Sequence, residues 1–64
     1  MKSYSSGEII RKLLDDGWEF AKQEGSHRHY KHPTRPGKAT VPHPRKDVPT
    51  STLKGIEKQT GLKF

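Results

Sequence analysis

The sequence predicts a small α+β domain: a helix, three antiparallel strands and a second helix, with both helices on one face of the sheet. Three observations predict it. A capping-box sequence opens a stretch of apolar pairs at helical spacing. Alternating runs separated by turn residues follow. A Pro-Thr-Ser start and a Gly-Leu end then frame a second helical stripe.

Ser5-Ser6-Gly7-Glu8 matches the capping box, with Ser5 bonding the Glu8 N–H and Glu8 reaching back. Ile9 and Ile10 repeat four residues on as Leu13 and Leu14, forming one apolar stripe opposite Arg11, Lys12, Asp15 and Asp16. Gly17 suits the left-handed position that ends the helix. Met1 to Tyr4 reads as a loose lead-in.

Trp18 to Gln23 alternates, with Trp18 and Phe20 on one face, and reads as the first strand. Glu24-Gly25-Ser26 is a turn, and His27 to His32 the second strand. Its parity puts His27, His29 and Lys31 on one face and Arg28, Tyr30 and His32 on the other. With Tyr30 turned to the core beside Phe20 and Val41, the first set lies on the open face. Lys38 to Val41 is the third strand, reached through Pro33-Thr34-Arg35-Pro36-Gly37 and ended with the help of Pro42.

Pro42 to Asp47 is an extended connector held out of helix by its prolines. The second helix begins between Pro49 and Ser51, carries Leu53 and Ile56 as its stripe, and closes at Gly61, with Leu62 folding back.

Composition bounds the rest. Sixty-four residues make one domain, 1–64, and chains of this size bury only ~60% of their unfolded surface. Leu, Ile, Val and Phe supply 11 residues against a net charge of +6, close to the disordered profile. The periodic clustering of the apolar residues, with a Trp and two Tyr, argues for a marginal but folded domain. No cysteine excludes disulfides and thiolate metal sites. No apolar run is long enough for a membrane span or signal core, so the expected location is cytoplasmic. A pI near 9.9 points to an acidic partner.

That charge has a place. From Gly25 to Lys46 lie Arg28, Lys31, Arg35, Lys38, Arg45 and Lys46, with four histidines and no Asp or Glu. Such an acid-free basic segment is the composition of a phosphate-binding face; its bland alternative is a solvated surface. Taken alone, a strand histidine is more often a packing or surface residue than a catalyst. A zinc site is disfavoured because His27, His29 and His32 lack carboxylate or thiol companions, and His27 and His32 face opposite ways.

Gly25-Ser26-His27, Tyr30, His32-Pro33, Val41-Pro42-His43-Pro44, Thr52-Leu53 with Ile56, and Gly61-Leu62 together resemble HicA-type toxins over roughly Ser5 to Leu62. The resemblance implies a double-stranded-RNA-binding-domain-like α-β-β-β-α fold. It implies the toxin of a type II toxin–antitoxin pair, a ribosome-independent mRNA interferase. It also implies a catalytic histidine after Gly-Ser, here His27, and a HicB-type antitoxin that covers the active site. The lack of acid from Gly25 to Lys46 argues against a metal nuclease, whose Mg²⁺ would want carboxylates, so the expected enzyme is a metal-independent endoribonuclease without a cofactor.

The chemistry suits the residues. RNA carries its own nucleophile, the 2′-OH, and imidazole, with an ordinary pKa of about 6.5, can take or give a proton near neutrality. His27 is therefore the expected general acid or base. Ser26, Arg28, His29, Lys31, Lys38, Arg45 and Lys46 are the candidates for RNA binding or charge stabilisation. Two other functions fit the composition: a basic RNA-binding module that does not cut, and a protein-interaction module that docks an acidic partner. Time-dependent RNA fragmentation discriminates the first from the nuclease. Salt-dependent RNA binding discriminates the second.

Overall fold

The computed structural model describes residues 3–64. The order is α1 (Ser6–Asp15), β1 (Glu19–Glu24), β2 (His27–Lys31), β3 (Lys38–Pro42) and α2 (Thr50–Thr60). The three strands form one antiparallel sheet in the order β1-β2-β3. The expected α-β-β-β-α arrangement is what the chain adopts.

Local chemistry sets the helix ends. Ser5 Oγ accepts from the Glu8 N–H at 3.2 Å while Glu8 Oε1 accepts from the Ser5 N–H at 3.0 Å, closing the capping box. Gly61, at φ 78°, ends α2 and donates its N–H to the Glu57 carbonyl.

The core is a single cluster. Ile9, Ile10 and Leu13 of α1, Ile56 of α2, Tyr30, Ala39 and Val41 of the sheet, Trp18 and Val48 are all buried together. Tyr30 faces Ala39 across the β2–β3 ladder and Arg28 faces Val41, so this is the covered face. Both helices pack on it, chiefly over β3. At the outer edge of β3 the Thr40 N–H donates to Gln59 Oε1 of α2 at 3.2 Å.

Four expectations need correction. Leu14 does not join the α1 stripe; it is half exposed, because the helix turns it past the sheet. Trp18 precedes β1 and is buried, tied to α1 by its N–H on the Leu13 carbonyl at 3.0 Å. Phe20 is not its companion in the core but is 51% exposed. The helices cover β2 and β3 and stop short of β1, all of whose residues are exposed. Finally, Tyr4 is not loose: its carbonyl accepts from the Val48 N–H at 2.9 Å, and its ring meets Phe64 edge-on at 5.4 Å. Met1 and Lys2, the rest of that lead-in, lie outside the described residues.

Candidate active site

The face of the sheet away from the helices is built from alternate positions of three strands. His27, His29 and Lys31 of β2 face Pro42, Thr40 and Lys38 of β3 and Glu24, Lys22 and Glu19 of β1. An irregularity between Phe20 and Lys22 shifts the β1 register there. Past it, Lys22 and Glu24 share the open face.

The four histidines lie in four different settings. His27 is exposed at the first position of β2, immediately after the Gly25-Ser26 turn. Its ring makes no hydrogen bond to any described side chain or backbone group, leaving both nitrogens to solvent or a ligand. His29, two residues on, is only 9% exposed. Its Nε2 lies 2.9 Å from Glu24 Oε1 and its Nδ1 lies 2.9 Å from Thr40 Oγ1, so neither nitrogen is free. His32 sits outside the strand, edge-on to Trp18 at 5.3 Å. Its Nδ1 accepts from the Thr34 N–H at 3.1 Å, which puts the ring proton on Nε2, facing the Asp16 carbonyl at 3.0 Å.

His43 stands beyond β3, one residue past Pro42, the cross-strand partner of His27. Its N–H donates to the Ser26 carbonyl at 2.7 Å. Its Nδ1 meets the buried Ser6 hydroxyl at 2.8 Å, and that oxygen also accepts from the Arg45 N–H at 2.9 Å. The 43–45 segment is thereby pinned at once to the start of α1 and to the turn that presents His27. Sequence reading did not assign Ser6 this part; a buried serine between a capping residue and an apolar stripe is its one signal.

The cations divide likewise. Lys31 and Lys38 are direct cross-strand partners on the open face, both exposed and neither in an ion pair among the described residues. Like charges placed opposite each other repel, and an anion between them removes that repulsion. Arg45 and Lys46 are exposed in the segment pinned beside Ser26; the Arg45 Nε donates to the Asp47 carbonyl at 3.2 Å, and its terminal nitrogens are unpaired among the described residues. Arg28 points to the other face. Arg35 belongs to the scaffold, bonding the Thr60 carbonyl at 2.8 Å and Asp16 Oδ2 at 3.2 Å.

The segment from Gly25 to Lys46 is free of acid in sequence, but the open face is not. Strand pairing brings Glu24 and Glu19 of β1 onto it. The Lys22 ammonium, 3.6 Å away, and the His29 hydrogen bond hold the Glu24 carboxyl below the ordinary range. Among the described residues no group of three or more His, Asp or Glu is arranged to hold a metal ion. Nor is any helix there long and apolar enough to cross a membrane.

No curated protein matches the chain. The family described as HicA toxin of bacterial toxin-antitoxin matches residues 6–62, which takes in every element of the fold and the whole open face. The chain belongs to the HicA toxin family of bacterial toxin–antitoxin systems.

Proposed function

We propose that this protein is an mRNA interferase, an endoribonuclease that cleaves RNA through His27 without a metal ion, and that its antitoxin is of the HicB type and covers the open face. The observation that carries the reading is the exposed, unengaged imidazole of His27 beside a segment rich in unpaired cations. The order of elements matches that of double-stranded-RNA-binding domains, which favours a nucleic-acid ligand.

In the reaction a base takes the 2′-OH proton, the 2′-oxygen attacks the adjacent phosphorus, and the bond to the 5′-oxygen breaks as that oxygen gains a proton. The products are a cyclic 2′,3′-phosphate and a 5′-hydroxyl. His27 performs one of the two proton transfers. Arg45 and Lys46 lie at the His27 end of the sheet, through the Ser26–His43 contact, and serve the charge growing on phosphate. Lys31 and Lys38 lie at the far end of β2, about 13 Å along the strand at ~3.3 Å per residue. Their part is to hold the backbone away from the reacting phosphate. His29, with both nitrogens bonded, braces β1, β2 and β3 in register.

A substrate with 2′-deoxyribose at the cleaved position tests the chemistry. It is expected to bind and to stay intact, whereas its cleavage would overturn attack by the 2′-oxygen. Salt tests the binding: affinity for RNA is expected to fall linearly in log–log form as counterions compete. An affinity for RNA indifferent to salt would contradict the phosphate face.

A further inference from the structure

Phe20, Gln23 and Arg28 form a cluster on the side of the β1–β2 hairpin opposite to His27. Phe20 is half exposed on a strand that no helix covers, with its ring edge-on to Tyr30 at 5.9 Å, so one side is packed and the other open. The Arg28 guanidinium stands 5.4 Å from the Phe20 ring centroid. Gln23 fixes it there: its Oε1 accepts from Arg28 Nε at 3.1 Å, while its Nε2 donates to the Gly25 carbonyl at 3.0 Å. The guanidinium is thus held in place without being neutralised. It pairs with no carboxylate among the described residues, and its terminal nitrogens carry no hydrogen bond.

A fixed, unneutralised guanidinium against an open aromatic ring is the chemistry that takes a nucleobase and its phosphate. The ring offers a π-face to an unstacked base, and the planar cation stacks or forks onto phosphate oxygens. A protein partner with an apolar side chain would also use Phe20. It would have no call for a free guanidinium held by a glutamine, and that charge favours the anionic ligand. We propose that Phe20 and Arg28 form a base-stacking subsite for single-stranded RNA. One nucleotide flanking the cleaved bond is splayed out across the hairpin tip and seated there, on the far side of the Gly25-Ser26 turn from His27. His27 and Arg28 are consecutive, so the two sides are one residue apart along the strand. The subsite rests on the RNA-cleaving reading above and deepens it by assigning single strands over duplex as the substrate. Duplex keeps its bases stacked and offers none to Phe20.

The test uses the full chain carrying His27→Ala, so that RNA stays intact, with a short single-stranded RNA containing 2-aminopurine at successive positions. Binding is expected to quench the fluorescence at one position, as stacking on an aromatic ring does. Added to this background, Phe20→Leu keeps an apolar contact to Tyr30 but removes the ring, and Arg28→Met keeps the stem but removes the charge. Each is expected to weaken single-strand binding about tenfold, with the quench lost in Phe20→Leu. Phe20→Trp is expected to retain both affinity and quench. Unchanged affinity and quench in a folded Phe20→Leu would overturn the subsite while leaving the nuclease reading intact. Unchanged RNA binding together with lost antitoxin binding would overturn it in favour of a protein-docking surface. A parent chain that binds no RNA at any salt would instead overturn the nuclease reading itself.

Discussion

The His32 ring fills the space that a side chain on Gly17 would need. A Cβ on Gly17 would stand 2.9 Å from His32 Nε2, the same nitrogen that reaches the Asp16 carbonyl at 3.0 Å. Gly17 also sits at φ 96°, where a side chain is strained in any surroundings. The turn that leads from α1 to the sheet therefore favours glycine at position 17, and His32 braces it through the Asp16 carbonyl.

Gly17→Ala is accordingly expected to cost more than Gly25→Ala. Gly25 has φ 57° and open space around its Cβ, so it carries only the left-handed penalty, about 1–2 kcal/mol. At Gly17 the collision with His32 adds to that penalty. Thermal melting compares them, with about 4–8 °C per kcal/mol for a domain of this size. Equal melting temperatures would show that His32 yields without cost.

Ser6 makes the second brace. It is only 2% exposed, and its hydroxyl serves the Arg45 N–H and His43 Nδ1 together. Ser6→Ala leaves the part-buried Arg45 N–H and His43 Nδ1 without their partner and is expected to destabilise by about 1 kcal/mol. It also frees the segment that carries Arg45 and Lys46, so RNA affinity is expected to fall in the folded variant. A melting temperature equal to that of the parent would contradict the pinning of this segment to α1.

Glu24 gives the acid limb of stability a definite sign. Lys22 first, then the His29 hydrogen bond, lower its carboxyl pKa in the folded chain from 4.5. The folded state therefore favours the ionised form, and the contribution is complete above about pH 4.5 and lost as pH falls through the lowered folded value. Glu24→Gln is expected to be less stable near neutrality and to lose less on acidification. Parallel stability–pH curves for parent and variant below pH 4.5 would refute the linkage.

Much of this architecture was legible because local signals agreed with the global fold. The Ser5–Glu8 box, the Ile9, Ile10 and Leu13 stripe, the Gly25-Ser26 turn and the left-handed Gly61 each specify their own backbone, and tertiary packing did not override them. The strand parity of β2 followed from Tyr30, the one large aromatic in it, and separates His27 from Arg28 as expected. Phe20 was misread because alternation tells which residues share a face, not whether a helix reaches far enough to cover it. Sequence spacing is silent for a related reason on the charge of the open face: the acid-free segment acquires Glu24 and Glu19 as neighbours once β1 pairs beside it. The engagement of His29 by Glu24 and Thr40, and of His43 by Ser6, depends on residues from separate elements that no spacing rule connects.

The most direct test of the account is an RNA-cleavage time course in excess EDTA, with the parent chain beside a folded His27→Ala variant. The account predicts progressive cleavage by the parent and intact RNA with the variant. Equal cleavage by both would contradict a catalytic His27. Intact RNA with both, bound tightly and released by salt, would make the protein an RNA-binding module that does not cut.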